Sequence, residues 1–76
     1  MSRPHRVAIP IQVLGQAVRG KPCGTVATAR QLGLTVGRVA SIVSTLEAFG
    51  YVYWGTGKGS FYLTDEGEQR LGAVLP

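Results

Sequence analysis

This sequence holds one cysteine, Cys23, and one histidine, His5. A lone cysteine excludes an internal disulfide and any zinc site built from several cysteines. Acids are scarce too: Glu47, Asp65, Glu66 and Glu68 are the only side-chain carboxylates. One imidazole and four acids give little material for hydrolytic or redox chemistry. The expectation is therefore no enzyme, no catalytic residue, no metal and no cofactor. No stretch approaches the roughly 18 apolar residues that span a bilayer, so no membrane role is expected. The opening Met-Ser-Arg-Pro-His-Arg is followed by no apolar run and cleavage site, so no secretory signal is read and a cytoplasmic location is expected. Internal repeats and low-complexity tracts are absent as well.

What is present is a short, fairly apolar, basic chain. Its 76 residues are 45% hydrophobic, with a mean hydropathy of +0.15. That composition argues against disorder and leaves room for one small domain, 1–76. Such a chain buries only about 60% of the surface it exposes when unfolded. The net charge of +4 is unevenly spread. Residues 1–46 carry Arg3, Arg6, Arg19, Lys21, Arg30 and Arg38 and no acid, whereas all four acids follow, against Lys58 and Arg70. A basic stretch without internal acid favours a polyanion, with nucleic acid ahead of an anionic membrane.

Apolar spacing and turn residues divide the chain. Residues 1–8 read as a basic N-terminal arm carrying Arg3, His5 and Arg6. Pro10 suits a first helical turn. Ile11, Leu14, Ala17 and Val18 continue at helical spacing until Gly20 and Pro22 stop the helix. Gly15 inside it suggests close packing on another helix. Residues 23–25 form a short strand or an extended lead-in, and Thr25 reads as the N-cap of a helix ending at Gly33. Cys23 reads as a half-buried structural residue rather than a thiol switch. Thr35 caps a third helix whose stripe is Val36, Val39, Ile42, Val43, Leu46 and Phe49, and Gly50 ends it. Residues 51–64 read as a hairpin with a glycine-rich turn. Thr64 caps a last helix over 65–75, with Asp65 and Glu66 in its first turn, where the dipole favours acids.

The two helices within 25–50, joined by a tight turn at Gly33-Leu34, fit two descriptions. One is a helix-turn-helix whose second helix enters a major groove. The other is an ordinary helical hairpin packed for its own sake. Spacing does not separate them.

Three segments in order resemble a known fold family. Ala29-Arg30-Gln31-Leu32-Gly33-Leu34-Thr35 with Val39, then Leu46-Glu47-Ala48-Phe49-Gly50-Tyr51-Val52, then Phe61-Tyr62-Leu63-Thr64-Asp65-Glu66-Gly67 are similar to the turn, the helix exit and the post-wing segment of winged helix-turn-helix domains of MarR-type and ArsR-type transcriptional regulators. The resemblance covers about residues 8 to 75. It implies an α+β fold with a three-helix core, a two-stranded wing hairpin and a C-terminal helix. Larger regulators of this kind add a helical dimerisation or ligand-sensing region, for which these 76 residues have no room.

The resemblance further implies a module that binds double-stranded DNA and regulates transcription, with the helix over 35–49 in the major groove. The residues expected to meet DNA are Thr35, Gly37, Arg38, Ser41, Ser44 and Thr45 from that helix. Arg38, Ser41 and Thr45 share a face; Arg can bond two acceptors of a guanine edge, and Ser or Thr can reach bases or phosphates. Lys58 in the wing turn is expected on the phosphate backbone or in the minor groove, and Arg30 and Lys21 on the backbone. A homodimer is expected, because one helix reads too few base pairs for useful specificity. The alternative from another class is a winged-helix module that docks on a protein through Tyr53, Trp54 and Tyr62, since Tyr and Trp are favoured anchors. A third is RNA binding, with bases stacked on those rings.

Overall fold

A computed structural model of the chain describes residues 8–74, with the side chains of all of these except Lys58 and Val74. The expected basic arm therefore lies almost wholly outside the described residues, as does Leu75. The elements run α1 (Ile9–Leu14), β1 (Cys23–Gly24), α2 (Thr25–Leu32), α3 (Val36–Ala48), β2 (Val52–Trp54), a 3-10 turn (Thr56–Lys58), β3 (Ser60–Leu63) and α4 (Asp65–Val74). The architecture is α+β: four helices and one antiparallel sheet in the order β1-β3-β2.

The wing hairpin has its two strands, β2 and β3, and β1 adds a third to the sheet. Residues 23–24 are a true strand, with Cys23 opposite Phe61 and Gly24 opposite Ser60. The pairing holds because the backbone at Gly24 is extended before α2 starts. Across the hairpin, Val52 faces Leu63, Tyr53 faces Tyr62 and Trp54 faces Phe61. Alternation sends Val52, Phe61 and Leu63 into the core and leaves Tyr53 outside.

The first helix is shorter than its apolar spacing suggests. It starts with Pro10 in its first turn but ends at Leu14, not at Val18. Beyond Gly15 the backbone bonds tighten to Gln16 N–H with Val13 O and Ala17 N–H with Leu14 O, each 3.1 Å. Such i→i+3 bonds close a helix end. Ala17 is still buried, whereas Val18 is 60% exposed. A Cβ built on Gly15 would lie 3.9 Å from Leu71 Cδ2, so this glycine does face α4.

Thr25 is not the cap of α2. Gly24 holds the cap position without a side-chain bond. Thr25 is buried in the first turn, where its N–H and its hydroxyl both donate to the Gly59 carbonyl, at 3.1 and 3.3 Å. Buried Thr28 donates to Gly24 O at 2.8 Å, and its Oγ1 lies 3.2 Å from Cys23 Sγ. Gly33 ends α2 with φ 69, a left-handed conformation glycine adopts without steric cost.

Thr35 does cap α3, accepting from Arg38 N–H at 3.1 Å. The stripe divides once folded. Val39, Val43 and Leu46 are buried and Ile42 packs against the core, but Val36 and Phe49 are exposed. Burying such a side chain contributes about 1.5–3 kcal/mol, so the first three carry the helix. Phe49 leaves the stripe because it is the C-cap, where the chain reverses. Gly50 N–H bonds Glu47 O and Tyr51 N–H bonds Leu46 O, the paired bonds of a Schellman ending.

The start of α4 is stitched to that ending. Thr64 Oγ1 donates to Gly50 O at 2.6 Å and accepts from Gly67 N–H at 3.0 Å, while Thr64 N–H donates to Tyr51 O at 3.0 Å. Gly67 is pressed against the Tyr51 carbonyl so closely that a Cβ there would sit 2.0 Å from its oxygen. Two of the three resembling segments thus interlock in space.

Candidate nucleic-acid interface

The outward side of α3 is dictated by the inward one. With Val39, Val43 and Leu46 turned to the core, Gly37, Arg38, Ser41, Ser44 and Thr45 all stand exposed. Arg38, Ser41 and Thr45 lie at i, i+3 and i+7 and form one edge of that surface. Thr35 is exposed as well, but its hydroxyl is engaged in the cap. The Thr45 hydroxyl donates to Ser41 O at 3.2 Å, which leaves its oxygen able to accept. A Cβ on Gly37 would meet nothing within 4 Å, so the backbone there is open to a large ligand.

Other expected contacts sit on separate elements. Arg30 is exposed in the last turn of α2. Lys21 is exposed in the bend before β1. Lys58 lies in the 3-10 turn, which reaches its sharp bend through Gly57 at φ 79. The bonds from Thr25 to Gly59 O fix the end of that turn to the first turn of α2. The base of the wing and the start of the helix pair are therefore held together.

Ion pairs set one of these cations apart from the rest. Arg19 does not belong to the free basic set. It donates to Leu63 O at 3.0 Å, pairs with the Asp65 carboxylate and has Glu68 at 3.9 Å. It ties the segment after α1 to the acidic first turn of α4. Nothing in the sequence order marks this, because the partners are more than forty positions apart. Lys21, Arg30 and Arg38 take part in no such ion pair among the described residues. The acids of α4 thus neutralise Arg19 and leave these three cations uncompensated.

The aromatic hairpin does not present one surface. Tyr53 and Tyr62 stack across the strands with centroids 5.1 Å apart and planes 10° from parallel, on the outer face. Trp54 lies on the opposite face, packed against the core beside Phe61. The rings therefore stiffen the hairpin. A separate feature was hidden by the stripe: exposed Phe49 stacks on Tyr51 at 5.8 Å beside a groove between α1, the end of α3 and α4. Its position one residue past the last helical turn is the only sequence sign of it.

Among the described residues, no group of three or more His, Cys, Asp or Glu side chains gathers where a metal could sit, and no helix is long and apolar enough to cross a membrane. No protein-family model, no curated protein and no solved structure matches the chain.

Proposed function

We propose that this chain is a winged helix-turn-helix domain that binds double-stranded DNA sequence-specifically and acts in the cytoplasm as a small transcriptional regulator. The observation that carries the reading is the exposed face of α3, where Arg38, Ser41 and Thr45 align without ion-pair partners over a buried stripe. A helix so presented can enter a major groove, with Arg38 toward a guanine edge and the two hydroxyls toward bases or phosphates. The order of helix, strand, two helices and hairpin supports it, as does the turn anchored beside α2. Lys21, Arg30 and Lys58 then act on the phosphate backbone, which positions the helix without reading sequence.

Amide-shift mapping with a duplex tests the reading. Shifts should concentrate at Gly37, Arg38, Ser41, Thr45 and the turn at 56–59. Shifts confined to Tyr53 and Tyr62, or none at low salt, would refute it.

A further inference from the structure

An exposed valine means little by itself, because folded chains leave much apolar surface in water. Val36 is marked by its place. It is 44% exposed although it opens the apolar stripe of α3, and Thr35, Gly37 and Arg38 beside it are exposed too. The first buried residue of the helix is Val39. The opening turn of α3 therefore stands clear of the core on every side, with its one apolar side chain facing water. A Cβ on Gly37 would meet nothing within 4 Å, so there is open space against this turn.

Successive residues of a helix turn by about 100°, so Val36 and Arg38 stand on opposite flanks with Gly37 between them. The bare backbone at Gly37 can lie close to base edges, with an apolar group to one side and a guanidinium to the other. The valine side chain has no donor or acceptor, so it reads no hydrogen-bonding edge. The one apolar group that base pairs display in the major groove is the 5-methyl of thymine. We propose that Val36 packs on a thymine methyl and sets a base preference at a position apart from the one Arg38 contacts. The inference rests on the proposed entry of α3 into the major groove, where the N-terminal residues of such a helix meet base edges. One methyl removed from water corresponds to a factor of about four in affinity. The contact is uncharged, so it adds nothing to the salt dependence of binding.

Duplexes selected by the wild-type chain from a random-sequence pool test it, with each thymine of the selected site replaced in turn by deoxyuridine. Deoxyuridine keeps the hydrogen-bonding edges of thymine and lacks only the methyl. At one position the wild type should lose about fourfold in affinity. Val36→Ala should bind the parent duplex about fourfold more weakly with an unchanged salt slope, and should lose nothing further on that replacement. A wild type that binds its selected duplex but is indifferent to every replacement overturns the proposal and leaves DNA binding in place. So does a Val36→Ala chain that binds like the wild type, or one that keeps the full loss at that position. If the wild type binds no duplex, groove entry itself fails and this inference falls with it.

Discussion

Two glycines in one helix should respond to the same substitution with opposite signs. Gly67 and Gly72 both lie in α4, and replacing a helical glycine with alanine is intrinsically worth up to about 1 kcal/mol. At Gly72 a Cβ meets nothing within 4 Å, so Gly72→Ala should stabilise by about 0.5–1 kcal/mol, nearer the lower figure because the helix ends two residues later. At Gly67 the same methyl would lie 2.0 Å from Tyr51 O, 2.9 Å from its carbonyl carbon and 2.8 Å from Leu63 Cδ1. The obstacle is backbone, and that oxygen already accepts from Thr64 N–H. Lifting α4 away strains the packing by about 1–3 kcal/mol and weakens a hydrogen bond worth about 1 kcal/mol. After the helical gain is subtracted, Gly67→Ala should cost about 2–3 kcal/mol. A chain of this length has roughly 4–11 kcal/mol in all. Urea unfolding followed by far-UV circular dichroism gives both values. Thermal midpoints should move down by about 10–20 °C and up by about 2–6 °C respectively. Equal shifts, or a Gly67→Ala chain as stable as the wild type, would refute the close approach of α4 to Tyr51.

Thr64→Val keeps the shape but loses the bonds to Gly50 O and Gly67 N–H, and should cost about 1–2 kcal/mol in the same urea assay. Arg38→Ala should weaken specific duplex binding by about 1–3 kcal/mol and relax preference at one base position, read by competition between duplexes; an unchanged footprint removes Arg38 from the site. Lys58→Ala should weaken binding to all duplexes alike and reduce the salt slope by about one, whereas a loss confined to one sequence would show that the turn reads bases.

Local chemistry made much of this fold legible. Gly33, Thr35, Gly50 and Thr64 each mark a helix boundary through a bond or backbone angle that depends on few neighbours. The inward placement of Phe61 and Leu63 follows from strand alternation. What escaped depends on long-range partners. Thr25 looks like a cap until Gly59 is brought to it from across the fold. For residues 23–24 the sequence left strand and extended lead-in open, and pairing with β3 decides for the strand. Arg19 looks free until Asp65 and Glu68 arrive. Phe49 fits the helical period but falls where the chain turns back, so periodicity misplaces it. On the candidate interface, the exposed face of α3 was readable because its opposite face is so regular. Which cations stay free of an ion pair was not, since it depends on which acid each one meets.

Equilibrium titration of the chain against mixed genomic duplex at several salt concentrations is the most direct test that it binds DNA. Phosphate contacts by Lys21, Arg30 and Lys58 predict a slope of log affinity on log salt of about −3 per chain. Measurable, steeply salt-dependent binding is the predicted result. No binding at low salt, or binding that salt does not weaken, would contradict the account.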